Sequence, residues 1–184
     1  GGNVCNGVTS ADSASSLFAY NAILELTGPE GIRQVPIQEF YTGPGKTVRC
    51  HEEVMTAIRI RRRDYEGYTG CYIKYGKRNA MEIATLGCAC LVKLSLDKKV
   101  VEDMRIAYGV AAPTPVRCPE TEKAVSGKAV SKALLLQTGK GVLNEVNTRT
   151  SWRASKEFRL QLVEELAKRA MAQAIRNGGG EVDA

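Results

Sequence analysis

Over roughly the first 110 positions of this chain apolar and polar residues tend to alternate; from Cys118 onward the spacing lengthens to that of a helix. A period of two sends successive side chains to opposite faces of a strand, whereas a period near 3.6 builds one apolar stripe along a helix. Residues 17–26 (LFAYNAILEL) alternate towards their end and read as a strand. Gly28-Pro29-Glu30-Gly31 is a turn, so Ile32 to Ile37 is expected to pair back as a hairpin partner. Glu53 to Ile60 reads as another strand. Three more follow: Tyr68 to Tyr75, roughly Ile83 to Leu96, and Val100 to Val110, the last two joined by a turn at Asp97-Lys98-Lys99. Their order predicts an antiparallel meander.

Cys118-Pro119-Glu120 then opens a helix, with proline at the first helical position and acids in the first turn. A second helix is expected from about Val130 to Val146, weakened by Gly139 and Gly141. The third is the clearest. Ser155 can cap it, and Phe158, Leu162, Leu166, Ala170 and Ala174 form one apolar stripe. Glu164–Lys168 and Glu165–Arg169 are favourable pairs four apart, and Asn177-Gly178-Gly179-Gly180 ends the helix. One sheet with helices gathered on one face makes this half α+β. The charged stretch Arg61 to Gly67 marks the expected boundary, dividing the chain into residues 1–63 and 66–184.

Composition narrows the function. With 43% hydrophobic and 25% charged residues among 184, the chain is ordinary globular material, and no apolar run approaches the ~20 residues of a membrane span. The net charge is +6, and the densest basic run is Arg59, Arg61, Arg62 and Arg63. A nucleic-acid interface would interleave aromatic residues for base stacking. This run has none and is followed at once by Asp64 and Glu66, so it reads as a solvated linker or a face for an acidic partner. Six cysteines stand at 5, 50, 71, 88, 90 and 118, with no C-x2-C or C-x4-C-x2-C spacing for an iron–sulfur cluster. Cys88 and Cys90 would share one strand face; buried thiols in a reducing compartment, without metal or disulfide, are expected.

Two motifs are decoys. Gly43-Pro44-Gly45-Lys46-Thr47 suggests a phosphate loop, but that pattern requires glycine at position 40, which is Phe40. His51-Glu52-Glu53 suggests a zinc helix, but the second histidine would fall on Met55. Gly1-Gly2-Asn3 followed by Ser10-Ala11-Asp12 is different. Glycines let main-chain N–H groups approach a polyanion closely. Asn3 can donate through its amide, and Asp12 can accept from hydroxyls such as those of a ribose or ribityl chain.

Gly1-Gly2-Asn3 through Ser13 resembles the second flavin-binding loop of the FAD subunit of the xanthine dehydrogenase and carbon monoxide dehydrogenase family, the molybdenum hydroxylases. Tyr72-Ile73-Lys74-Tyr75-Gly76-Lys77-Arg78, Arg105-Ile106-Ala107-Tyr108-Gly109 with its continuation to Arg117, and Ser151-Trp152-Arg153-Ala154-Ser155-Lys156-Glu157-Phe158-Arg159 resemble that family in its order. The resemblance implies an α+β fold: a β-rich remnant of a PCMH-type FAD-binding domain in residues 1–63, then a three-stranded antiparallel sheet packed with about three helices in 66–184. It implies FAD contacts at Gly1, Gly2, Asn3, Asp12, Met55 and Lys74 and no catalytic residue or metal ligand. On residues alone, Lys74 would be a lysine snorkelling from a half-exposed strand and Met55 plain strand core. Arg78, Arg117, Trp152 and Arg153 match family motifs and read as structural or inter-subunit, the arginine beside Trp152 as a packing or cation–π feature.

The implied function is that of a flavin subunit of a cytoplasmic oxidoreductase, xanthine dehydrogenase-like, relaying electrons to NAD+ or another acceptor. The molybdenum cofactor and the [2Fe–2S] clusters would sit in partner subunits. The family's first flavin loop precedes Gly1 in relatives, so this stretch alone is expected to bind FAD weakly or not at all and to be inactive. A non-catalytic subunit-docking module is the alternative, with a basic nucleic-acid-binding domain behind it.

Overall fold

The computed structural model describes residues 1–182. The chain begins with two short helices, α1 (Gly2–Cys5) and α2 (Ala14–Ala19). Strands β1 (Ile23–Gly28) and β2 (Gly31–Pro36) then form the expected hairpin, with Gly28 opposite Gly31. Gly31 has φ +109°, a backbone conformation that glycine adopts without strain. A short helix α3 (Ile37–Phe40) and a small hairpin of β3 (Tyr41–Gly43) and β4 (Lys46–Thr47) lead to β5 (Val54–Arg59), which completes a sheet of order β2-β1-β5. Leu24 and Leu26 of β1 point inward and are fully buried.

The strand expected over 17–26 starts only at Ile23; its first half is α2. The buried residues there are Ala14, Ser15, Phe18 and Ala19, which follow a helical spacing rather than alternation. Helix and strand meet at Asn21, a left-handed residue with φ +47°.

After α4 (Arg62–Tyr65), the strands β6 (Tyr68–Tyr75), β7 (Leu86–Leu94) and β8 (Val100–Gly109) form the predicted meander. Two-residue strands β9 (Val116–Arg117) and β10 (Lys128–Ala129) add to β8, so the three expected strands are the body of a five-stranded sheet. Helices α5 (Pro119–Val125), α6 (Lys132–Gly141) and α7 (Lys156–Asn177) accompany it. Leu86, Cys88, Cys90, Val92, Met104, Ile106 and Tyr108 from the sheet share one core with Leu162, Val163, Leu166, Ala170 and Ala174 of α7. Ser155 caps α7 by accepting from the Phe158 N–H at 3.2 Å, worth about 1 kcal/mol. Phe158 itself is half-exposed and meets Tyr75 edge-on instead of joining the core. Cys88, Cys90 and Cys118 are fully buried, Cys5 and Cys71 partly so, and Cys50 is exposed.

Helices α5, α6 and α7 all pack into this core on one face of the sheet, as expected of this half. Ala89, Leu91 and Ala107 belong to a second core with Val4, Ala14, Phe18, Ala19, Leu24, Leu26 and Phe40. The N-terminal part therefore packs on the opposite face of the large sheet, and Leu86 to Val92 of β7 are buried throughout. Small residues at 89 and 107 allow that approach.

Arg59, Arg61, Arg62 and Arg63 are exposed, as expected of a solvated run, but Asp64 beside them is not. Asp64 is 3% exposed and accepts from Asn21 Nδ2 (3.0 Å), Arg61 Nε (2.7 Å) and Arg105 Nη1 (3.4 Å). The Arg105 guanidinium lies 4.4 Å above the Tyr68 ring, and the Tyr68 hydroxyl donates to Asp103. Asn21 Oδ1 accepts from Gln38 at 3.0 Å and from Arg117, which in turn grips Glu122. Polar groups thus stitch the two sheets together around Asn21 and Asp64.

Candidate functional site

The glycine-led start folds into a single helical turn. Gly1 and Gly2 are exposed, and a Cβ on either would meet nothing within 4 Å. The first N–H groups of any helix lack an intrahelical acceptor, so the Gly2 and Asn3 amides are left unspent by the turn. Val4 anchors the turn from below at 2% exposure. Asn3 Oδ1 accepts from the Ser13 hydroxyl (2.5 Å) and N–H (3.2 Å), closing the loop between them.

That loop is pinned at two further points. The Gly7 carbonyl accepts from the Gly45 N–H at 2.9 Å. Gly7 has φ +67°, and a Cβ there would lie 2.8 Å from Gly45 C and Lys46 N. The segment that imitates a phosphate loop is therefore a hairpin turn that buttresses the glycine loop. The Thr9 carbonyl accepts from the Val110 N–H at 3.2 Å, and the Thr9 hydroxyl donates to the Ala112 carbonyl at 3.2 Å.

Held in this way, Asp12 meets Lys74 of β6: Oδ2 lies 2.8 Å from Nζ, across 62 positions of sequence. Both side chains keep solvent access, 50% for Asp12 and 32% for Lys74. Tyr72 lies two residues before Lys74, on the same strand face. Its ring sits over Gly87, where a Cβ would come within 3.1 Å of the hydroxyl. Burial, then the charge of Asp12, push the Tyr72 hydroxyl up to about 12, so it stays protonated at neutral pH.

Among the residues singled out from sequence, Gly1, Gly2 and Asn3 share one turn, Asn3 reaches Ser13 beside Asp12, and Asp12 reaches Lys74. Met55 lies on β5 opposite Leu26 and touches the same turn from behind, its Sδ 4.0 Å from Cys5 Sγ. Lys74 is an ion-paired residue rather than a lone snorkelling lysine. Gly7, Thr9 and Tyr72 were missed; only Tyr72 had a signal, the alternation that puts it beside Lys74. Arg78 donates to the Met81 carbonyl at 2.8 Å, and Arg117 belongs to the Asn21 network. Arg153 stacks over Trp152 at 4.2 Å, a cation–π contact. Among the described residues no cluster of His, Cys, Asp or Glu is arranged to hold a metal ion, and no helix is long and apolar enough to cross a membrane.

Two matching families place the chain in a class, the flavoprotein chains of molybdopterin dehydrogenases. The family described as the FAD binding domain in molybdopterin dehydrogenase matches residues 1–61. The chain belongs to the CO dehydrogenase flavoprotein family, whose C-terminal domain matches residues 71–174. It is 42% identical over 182 residues to the xanthine dehydrogenase FAD-binding subunit of Escherichia coli O157:H7, covering 99% of this chain and 62% of that one. It is 30% identical to the glyceraldehyde dehydrogenase medium chain of Sulfolobus acidocaldarius, covering 94% and 60%. Carbon monoxide dehydrogenase from Hydrogenophaga pseudoflava superposes with a TM-score of 0.89 at 28% identity, over 96% of this chain and 60% of that one. The chain thus spans about 60% of the length of these relatives.

Proposed function

We propose that this chain acts in an FAD-binding subunit and that Gly1, Gly2, Asn3, Asp12, Met55 and Lys74 contact the flavin nucleotide. The observation that carries the proposal is the 2.8 Å Asp12–Lys74 pair, which closes the glycine-led loop on β6. The donor set suits a dinucleotide. Open glycines and unspent amides fit a pyrophosphate. The Asp12 carboxylate can accept from sugar or ribityl hydroxyls, and the Lys74 ammonium can offset phosphate or flavin charge. Met55 supplies an apolar backing. FAD, when bound, supplies the electron-accepting ring, while this chain binds and orients it.

In this reading residues 1–63 complete the FAD-binding unit and 66–184 form the C-terminal unit. The wider enzyme is a cytoplasmic molybdenum hydroxylase, with the molybdenum cofactor and [2Fe–2S] clusters in partner subunits and NAD+ or another acceptor receiving electrons. The 42% identity to a xanthine dehydrogenase subunit supports a purine substrate, chosen outside this chain.

Lys74→Ala removes one charge-assisted hydrogen bond to the ligand, worth about 1.5–3 kcal/mol, or roughly 10- to 150-fold in affinity. The FAD content of the complex purified with this chain, measured after denaturation, is expected to fall accordingly, and Asp12→Ala should lower it too. Unchanged flavin content in both variants would overturn the assignment.

A further inference from the structure

We infer that the turn carrying Trp152 is a preformed docking anchor for an acidic, pocketed face of a second, non-identical subunit, an inference that rests on the multi-subunit reading above. Trp152 is 80% exposed, an unusual position for the residue with the largest apolar surface. It does not hang from a loose loop. Ser151 and Ala154 form an isolated antiparallel bridge, exchanging N–H···O bonds of 2.9 and 3.2 Å that close the turn around Trp152 and Arg153.

The turn stands on a buried base. Arg159, in the first turns of α7, is only 2% exposed, and its Nη2 donates to Ser151 Oγ at 2.9 Å while Nη1 donates to the Thr85 carbonyl. Ser151 Oγ also receives the Arg153 N–H at 3.3 Å, and Thr150 Oγ1 receives the Lys156 N–H at 3.1 Å. With Arg153 stacked over its ring, the indole is held out in one orientation. Tryptophan and arginine are the residue types enriched where truncation most weakens interfaces, and a preordered anchor loses little entropy on docking.

Charge selects the partner. Residues 149–159 carry Arg149, Arg153, Lys156 and Arg159 against a single carboxylate, Glu157. That carboxylate is engaged locally: its own backbone N–H, then Ser155, hold it below the usual range. Among the described residues Arg149, Arg153 and Lys156 enter no ion pair, like Lys132 and Arg176 on α6 and α7, whereas Lys140, Lys168 and Arg169 are paired with Glu164 or Glu165. An exposed indole inside an unneutralised cationic collar fits an apolar recess rimmed by Asp and Glu.

Trp152 is the sole tryptophan of the chain, so 5-fluorotryptophan incorporated into this chain alone gives one 19F resonance. The complex purified with this chain is compared with the isolated chain, and Trp152→Ala and Arg153→Glu are each purified in parallel. Docking predicts a shifted, solvent-protected resonance in the complex. It also predicts at least about tenfold weaker retention of the partner subunit in both variants, with unchanged thermal unfolding and unchanged FAD per chain. An unmoved resonance, full retention in both variants, or a concentration-dependent shift of the isolated chain (self-association) would overturn the inference. Loss of FAD in the wild-type complex with Trp152 still protected would instead sink the flavin assignment and leave the docking surface standing.

Discussion

Asp64→Ala is expected to lower unfolding stability by about 3 kcal/mol, because removing one member of a buried charge cluster leaves the others uncompensated. Arg105, with a side chain only 12% exposed, would lose the more buried of its two carboxylate partners and keep only Asp103 at 3.6 Å, and Asn21 would lose an acceptor at the contact between the two sheets. Arg61 is 44% exposed and would be rehydrated, which keeps the figure at the low end of its class. Asp64→Asn keeps the shape and should cost less. Urea unfolding at neutral pH measures both, and a loss below about 1 kcal/mol in the alanine variant would show the cluster to be ornamental.

The same residue predicts a pH dependence. Burial raises the Asp64 carboxyl, but hydrogen bonds from Asn21 and Arg61 and the charges of Arg61 and Arg105 outweigh it, so its folded value lies below the ordinary one. A carboxyl depressed by folding binds fewer protons in the native state than in the unfolded one. Its contribution is complete above the unfolded value of about 3.9 and disappears as pH falls through the lower folded value. Acid unfolding should therefore be shallower in Asp64→Asn than in the wild type below about pH 4.

Gly7→Ala is the second large effect, and it joins stability to the proposed flavin site. A left-handed alanine costs about 1–2 kcal/mol by itself. Here the new Cβ would also overlap main-chain atoms of Gly45 and Lys46 at 2.8 Å, which no rotamer change can relieve. The loop from Asn3 to Ser13 must then lift off its buttress, carrying Asp12 away from Lys74. Gly45 provides the control: it too has positive φ, +70°, but a Cβ there meets nothing within 4 Å. Gly45→Ala should show the conformational cost alone. Thermal unfolding and FAD content should fall further for Gly7→Ala than for Gly45→Ala; equal losses would remove the steric argument.

Much of this fold was legible along the chain. Strand-like runs bounded by turn residues found β6, β7 and β8, and the proline at 119, the cap at Ser155 and the stripe along α7 found the helices, because each rests on local backbone chemistry. The hairpin at 28–31 was legible for the same reason. The strand misplaced over 17–22 failed where α2 is only six residues long, too short for its period to stand out against the following strand. The role of Asp64 was hidden because charge runs are ordinarily solvated, and only the distant Asn21 and Arg105 make it otherwise. Asp12 was selected by its place after the glycines and Lys74 by resemblance; nothing local foretold that they touch. Gly7 was invisible because its constraint comes from another glycine 38 positions away, brought there by the hairpin.

The burial of β7 from both sides has a consequence for how this protein would age in a cell extract. Arg61, Arg62 and Arg63 offer a trypsin-like protease three exposed basic side chains between the two sheets. A cut there would sever the chain but not the particle. Ala89, Leu91 and Ala107 would still be covered by Phe18, Ala19 and Leu24, and Asn21 would still clasp Arg117. Such a preparation would run as two bands under denaturing conditions while sedimenting as one body, a nicked yet intact protein that is easily mistaken for two subunits.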